Sequence, residues 1–564
     1  MRAGPSGPHA DGREDLGLAR GLAEPRDAAG LTPIVCATAA PGSPGAFVCR
    51  DRRRKEQVVE PQLQVHPDRG AFDELASAWP VAPVWADLIA DVSTPVGLFP
   101  ALAGDGPGIL LESVERSERW GRYSFVAGDP AGIVVVDEDG ARLSDVVRPL
   151  PVDEPPPGTD PRTALTAIAR SLRGPRPPDL PPLTGGLMGY LAYEAAALLD
   201  DHPAPEAGTA PCPPIGLLLV DRAVVFDHWR QRLVLVAHAS AGGYDAAVTA
   251  LHDLATRIAS AEVPSLAPAV DAVAPPDEGE ANMPDEGYRW TVEAFKEHIR
   301  AGDIFQGVPS RRVAFPAPQG GFPIYRRLRV TNPAPYMFFV RMLGMELAGS
   351  SPEPLVRVEG RRVWTRPIAG TRPRGRTEVR DRLLEHELLA DPKEQAEHAM
   401  LVDLARNDLG RVCVAGSVRP TELMEVERFS RVMHIVSTIE GELREDLHPL
   451  DALAATFPAG TVTGAPKHRA MQLIADHEPT ARGPYAGAVG YLTFAGDLDF
   501  CITIRTAVVV DGDVSVQTGA GVVADSDPQA ELDETKSKAA ALLPAVAAPT
   551  AGDATLGGST EVGP

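Results

Sequence analysis

Two acidic segments and a glycine turn hold the residues of this 564-residue chain best suited to chemistry. In Thr518–Ala540, a strand (Val514, Val516) breaks into Gly519-Ala520-Gly521, where missing side chains let a ligand lie against backbone N–H groups. Asp525, Ser526 and Asp527 offer cap chemistry, and Pro528 suits a first helical turn. The helix that follows places Glu531, Glu534 and Lys538 on one face. A second helix, DPKEQAEHAMLVDLARND, is capped by Asp391 with Pro392 behind it, and it aligns Glu394, Glu397 and Leu401. Alone, each set reads better as a solvated face than as a metal site. Together, two carboxylate faces could meet on one divalent ion, since Mg²⁺ is held by few carboxylates plus substrate oxygens and water. Such an ion would also draw an anionic substrate to an acidic protein.

Five further runs carry polar groups. Leu347–Gly375 reads as strands around a turn bearing Glu353, a candidate proton donor or an ordinary turn carboxylate; Gly370-Thr371 and the basic loop Arg372, Arg374, Arg376 follow. That basic run reads as solvated rather than substrate-binding. FPAGTVTGAPKHRAMQLI feeds small residues into a helix whose N-terminus suits an anion, but it lacks P-loop spacing. His434 and Tyr485 sit in apolar surroundings, where a lone histidine is usually a core residue. Arg505, between Ile504 and Ala507, is harder to place, because a buried guanidinium needs an anion.

The elements that must position these groups read as α+β. Strands are expected at Gly132–Val136, Gly185–Tyr193, Gly216–Leu219, Ala223–Phe226 and Arg232–Ala237, with a helix over Tyr244–Ala261. FDELASAWPVAPVWADLIA reads as helix, short strand and helix, with order beginning near Phe72. The expected organisation is a disordered extension (1–65) with a basic knot at Arg50–Lys55, a first region (66–262), a Pro- and acid-rich linker (263–286), a catalytic region (287–543) and a tail (544–564). A net charge of −23 argues against nucleic acid or an anionic membrane as partner. Five scattered cysteines without metal spacing suggest free thiols. No apolar run approaches the roughly 18 residues of a membrane span, and no secretory signal is visible. A cytoplasmic location is expected.

Taken in order, LLESVERSERWGRYSF, GDIFQGVPSRR, GSSPEPLVRV, RPIAGTRPRG, DPKEQAEHAMLVDLARNDLGR, RFSRVMHIVST, FPAGTVTGAPK, GPYAGAVGY, DFCITIRTAV and GAGVVADSDPQAELDET resemble the chorismate-utilising enzymes. Within them the match is to the large, component I subunits of anthranilate synthase, from about Pro67 to Leu543. The resemblance implies antiparallel sheets sandwiched between helical layers and a lyase of tryptophan biosynthesis. Ammonia would add at C2 of chorismate as the C4 hydroxyl leaves, and loss of pyruvate would give anthranilate. It further implies Mg²⁺ on Glu397 and Glu534 with Glu394 and Glu531 in support. Chorismate contacts would be Gly370, Thr371, Tyr485, Arg505, Gly519, Ala520, Gly521 and Lys538. Glu353 would be the general acid, His434 would serve the elimination, and Thr461 would line the site.

Ala369 and Gln306 stand where aminodeoxychorismate synthases and isochorismate or salicylate synthases, respectively, resemble one another in carrying lysine. Ammonia attack at C2 remains, and enzymes that stop at 2-amino-2-deoxyisochorismate share both features. Ser113, Pro335, Tyr336 and Met337 match the family's tryptophan pocket, implying feedback inhibition, or else pack the two halves together. A glutamine amidotransferase subunit (component II), in a heterotetramer, is implied because no GxCxG nucleophile elbow is present. One departure is GVPS, where Gly307 and Pro309 replace usual aliphatic residues and should distort or edge the strand.

Overall fold

The computed structural model describes residues 63–89, 91, 93–113, 121–200, 202–203, 210–261, 279–317, 319–429 and 432–546. The basic knot, most of the expected linker and nearly all of both expected tails lie outside them.

Two large antiparallel sheets form the centre. One has twelve strands and runs from Val65–His66 through Ala82–Ile89, Arg232–Ala239, Arg222–Asp227, Tyr123–Gly128, Gly108–Glu112, Tyr336–Met342, Met345–Ser351, Thr506–Val510, Asp513–Gly519 and Ser310–Pro316 to Glu280–Ala281. The other has eleven. Its path runs from Ile368–Pro373 through Val432–Glu442, Arg362–Thr365, Pro354–Glu359, Leu498–Ile502, Ala488–Thr493, Gly186–Leu191, Ile215–Val220 and Gly132–Asp137 to Gly140–Ser144, with Arg419–Arg428 paired to Val432–Glu442 off the path.

Period-two alternation explains the layering. Phe338, Val340 and Met342 point into a core shared with Met188, Tyr190 and Leu218 of the other sheet. Met337 and Phe339, from the same strand, pack instead beneath helices with Phe99, Ile324 and Leu328. The outer face of the second sheet packs on Leu409, Leu453 and Met471 of three further helices. The order is helix, sheet, sheet, helix, as the resemblance implies. Each fully buried side chain of this kind contributes about 1.5–3 kcal/mol.

The two regions expected on either side of the linker share both sheets. Gly108–Glu112 pairs with Tyr336–Met342, and Gly186–Leu191 pairs with Ala488–Thr493. They are therefore halves of one pair of sheets and not separately cored domains. The expected linker also ends early, because Glu280–Ala281 pairs with Ala314–Val313 and a helix begins at Asp285. Likewise the tail starts after a short buried helix, Leu543–Val546.

Local propensity misleads at Ala82–Ile89, which is one strand and not a strand followed by a helix. Eight consecutive partners from Arg232 to Ala239 hold it extended. The helix before it is Arg69–Ala78, capped by Asp68, whose carboxylate accepts from Ala71 N at 2.9 Å. In the GVPS run the expected distortion is present. Gln306–Gly307 pairs with Ala465–Gly464 in its own two-stranded ribbon, and the chain re-enters the large sheet only at Ser310. A Cβ on Gly307 would lie 2.4 Å from Phe295 Cδ1, so the buried Phe295 ring fills the space an aliphatic residue would take.

Candidate active site

One cavity of about 230 Å³ gathers most of the chemistry read from the sequence. Glu353, Thr371, Glu397, His434 and Thr461 line it, as do Tyr485, Arg505, Gly519, Gly521, Glu534 and Lys538. Gln306 and Ala369 are also on its wall, so the two positions that the resemblance singled out face the same space.

Glu353 sits in the turn between Met345–Ser351 and Pro354–Glu359, and only 8% of it is exposed. Burial pushes its pKa up to about 8, opposed by the Thr461 hydroxyl and by the positive charge of Lys538. Thr461 Oγ1 donates to Glu353 Oε1 at 3.1 Å. A carboxyl so placed is protonated at neutral pH and can donate a proton.

His434 lies on the strand Val432–Glu442 beside Ile368–Pro373. Its Nδ1 is 2.9 Å from Gly370 O and 3.1 Å from Thr371 Oγ1. A carbonyl only accepts, so Nδ1 carries the proton and Nε2 keeps its lone pair. Burial holds the ring's pKa below its ordinary value, with Arg505 adding to the effect, and the neutral form results. Gly370 reaches this position at φ +68°, and a Cβ there would lie 2.9 Å from Glu394 Oε2. Its part is to orient His434 through its carbonyl; the neighbouring Thr371 is the one on the cavity wall.

The two acidic helices converge as expected. Glu397 comes from Pro392–Gly410, capped by Asp391, and Glu534 from Pro528–Ala540, capped by Asp527. Burial raises the Glu397 pKa first, and the charges of Glu394 and Glu534 raise it further. Burial likewise raises Glu531, with Glu534 contributing. Mutually repelling carboxylates of this kind fit a cation held by Glu397 and Glu534. The described residues hold no ready-made cluster of three or more metal-ligating side chains, so substrate or water oxygens would have to complete such a site. Glu394 and Glu531 stand back from the cavity wall. Glu394 pairs with Arg372 at 2.9 Å, while Glu531 is 9% exposed in the first turn of its helix.

On the anion-binding side, Arg505 has φ 51° and makes no ion pair among the described residues, and burial lowers its pKa. Lys538 Nζ bridges Glu534 Oε1 and Gly519 O, at 2.8 Å each. The Tyr485 phenol is pushed up to about 12 by burial, so it stays a donor. Ala520 is fully buried behind the wall, with its N–H directed at Pro309 O. The helix Lys467–His477 does not aim its N-terminus at the cavity; its feeding loop supplies Thr461 and Val462 instead. The basic loop is structural: Arg372 pairs with Asp391 and Glu394, and Arg374 with Asp381. Gln517 on the wall escaped the sequence reading, although it stands two residues before Gly519 on the same strand face.

A second cavity, of about 240 Å³, lies between the sheets. Ser113, Pro335, Tyr336 and Met337 all line it, with Arg357 and Asp499. Tyr336 Oη donates to Asp499 Oδ1 at 3.0 Å, and Ser113 Oγ is buried without a hydrogen-bond partner among the described residues.

The chorismate binding enzyme family model matches residues 152–544, the span that contains every residue of the first cavity. The chain belongs to the chorismate binding enzymes. Among members of this family, anthranilate synthase component 1 of Streptomyces coelicolor is 43% identical over 90% of this chain and 96% of that protein. The protein of the same name from Mycolicibacterium smegmatis is 43% identical over 85% of this chain and 93% of its own length. Among solved structures, anthranilate synthase component I from Streptococcus pneumoniae superposes with a TM-score of 0.67, at 33% identity, covering 81% of this chain and 99% of that one. The Escherichia coli isochorismate synthase MenF, 22% identical with a TM-score of 0.60, shares the fold. Among the described residues, no helix is long and apolar enough to cross a membrane.

Proposed function

We propose that the chain is component I of an anthranilate synthase, converting chorismate and ammonia to anthranilate and pyruvate, the first step from chorismate towards tryptophan. The observation that carries this reading is a protonated, buried Glu353 in the same cavity as an Arg505 guanidinium that makes no ion pair among the described residues. Arg505 and Tyr485 present donors to a substrate carboxylate, and guanidinium favours bidentate pairing. Glu353 protonates the leaving C4 hydroxyl, which departs as water while ammonia bonds to C2. In the elimination, neutral His434 Nε2 is suited to take the C2 proton as the enolpyruvyl C–O bond breaks. Mg²⁺ held by Glu397 and Glu534 would supply positive charge to the substrate carboxylate and the developing leaving group. Gln306 and Ala369 offer no amine to activate water or attack the ring, which leaves ammonia as the nucleophile.

A component II amidotransferase would deliver that ammonia from glutamine. The inter-sheet cavity, with apolar walls, an Arg357–Asp499 pair and an orphaned Ser113 hydroxyl, suits an aromatic amino acid, and tryptophan as feedback inhibitor fits it. The test mixes the purified chain with chorismate, Mg²⁺ and an ammonium salt. Anthranilate fluorescence with equimolar pyruvate supports the reading, and an amino product without pyruvate replaces it with 2-amino-2-deoxyisochorismate or aminodeoxychorismate synthesis.

A further inference from the structure

Glu478 and Arg482 lie behind the cavity wall, with side chains only 4% and 1% exposed. Arg482 Nη2 donates to Glu478 Oε1 at 2.6 Å, and Nε donates to Oε2 at 2.9 Å. The guanidinium spends its other bonds on backbone: Nη1 on Val462 O and Nη2 on Val308 O, each at 2.7 Å. Its plane also lies 5.5 Å from the Tyr485 ring centroid. Glu478 Oε1 in turn accepts from Ser310 N at 2.7 Å and from Ser310 Oγ at 2.9 Å.

This last bond fixes another side chain. A serine hydroxyl has one proton, and here the carboxylate takes it, so Ser310 Oγ can only accept from Gln517. Gln517 Nε2 donates to it at 2.8 Å, and Gln517 Oε1 is left buried without a partner among the described residues. Val308, Val462, Tyr485 and Gln517 all belong to the cavity wall and come from four separate segments. One ion pair reaches all four.

We infer that the Glu478–Arg482 pair is a positioning element for the cavity, seating Val462 and hence Thr461 against Glu353, holding the Tyr485 ring, and orienting the Gln517 amide with its oxygen as an acceptor for substrate. This rests on the reading that the cavity is the reaction site. A buried ion pair is poor evidence for stability, because well-packed apolar residues often do as well. Its geometric reach is the physical reason to keep it. Lysine at position 482 would retain the charge but lose the fork that spans Val308 O, Val462 O and Glu478.

The test compares Arg482→Lys, Gln517→Leu and Thr461→Val with Phe72→Leu, a core change in the distant helical layer, as a stability control. The groups facing Glu353 across the cavity are Lys538, Glu397, Glu534, His434 and Arg505, all left in place. Loosening Thr461 removes a bond that lowers the Glu353 pKa, so Arg482→Lys should move the alkaline limb of the kcat–pH profile upward and raise the chorismate KM about tenfold. Gln517→Leu should raise KM with Tm nearly kept, and Phe72→Leu should lower Tm while moving neither. A limb that moves in Thr461→Val but stays in Arg482→Lys overturns the inference. So does an unchanged KM in Gln517→Leu. A limb that stays in Thr461→Val overturns the cavity reading instead.

Discussion

Thr461 Oγ1 donates to Glu353 Oε1 across 3.1 Å, from a one-turn 3₁₀ segment (Gly460–Val462) to a turn between two strands of different sheets. The bond opposes burial, which holds the Glu353 carboxyl at a pKa of about 8. An acid must carry its proton to act, so kcat should be level below this value and fall as pH rises through about 8. Thr461→Val removes the opposing bond, raises the Glu353 pKa further and moves that limb to higher pH. A pH series of kcat on both proteins checks it, and a limb that moves downward would contradict the assignment.

The same carboxyl sets a stability window. Glu353 keeps its proton in the folded state up to about pH 8, whereas an exposed glutamate loses it near 4.5. The folded state therefore binds more protons between those values, and its stability falls as pH rises across that window, by about 1.4 kcal/mol per unit at most. Glu353→Gln has no such proton to lose. Turnover should drop about 10²–10⁴-fold, while Tm at pH 8 equals or exceeds that of the parent. Melts at pH 5 and pH 8 should show a smaller decline for Glu353→Gln.

Residues whose role follows from local spacing were legible in the sequence. Asp391 and Asp527 cap the two acidic helices, Glu397 and Glu534 face one cavity, and the GVPS run breaks where Gly307 and Pro309 weaken it. Residues defined by distant partners were not. Glu478 and Arg482 look like an ordinary i,i+4 surface pair, and only the folded chain brings Val308, Val462 and Ser310 to them. Ala82–Ile89 departs from its local propensity for the same reason, since its pairing partner lies some 150 residues away. The shared sheets could not be foreseen from a linker read by composition alone.

Glu397 feels the charges of both Glu394 and Glu534, and Lys538 pairs with Glu534 at 2.8 Å. Without a cation this repulsion is part of the resting state. Glu534→Gln should therefore abolish Mg²⁺-dependent turnover and leave Tm at neutral pH unchanged or raised. Mg²⁺ titration by calorimetry on the parent and Glu534→Gln, with chorismate present, reads binding apart from activity. Near-normal turnover in the variant would remove the metal assignment.

Ser113 Oγ is buried beside Tyr336 and Met337 without a hydrogen-bond partner among the described residues. An amino acid bound there would supply one. Ser113→Phe fills part of a cavity of about 240 Å³ and removes the hydroxyl, so the Kd for tryptophan measured by calorimetry should rise at least tenfold. The tryptophan concentration giving half inhibition should rise in parallel. An unchanged Kd, or full parent activity in saturating tryptophan, would count against regulation through this cavity.

Gly519 ends the strand Asp513–Gly519 where the cavity wall closes on Tyr485. A Cβ placed there would lie 2.8 Å from Pro309 O and 3.0 Å from Tyr485 Oη. Neither neighbour yields easily, since one is backbone and the other is a buried ring whose face lies near Arg482. Gly519→Ala should cost about 1–3 kcal/mol, the usual penalty for overpacking. It should also push Tyr485 from its seat and raise the chorismate KM several-fold more than it lowers kcat. Gly519→Ala combined with Tyr485→Phe separates the two effects. Removing the hydroxyl relieves the clash with Tyr485 but not the one with Pro309 O, so part of the lost Tm should return while KM stays high. Full recovery of KM in the double variant would mean that Tyr485 Oη obstructs the Cβ without contacting substrate.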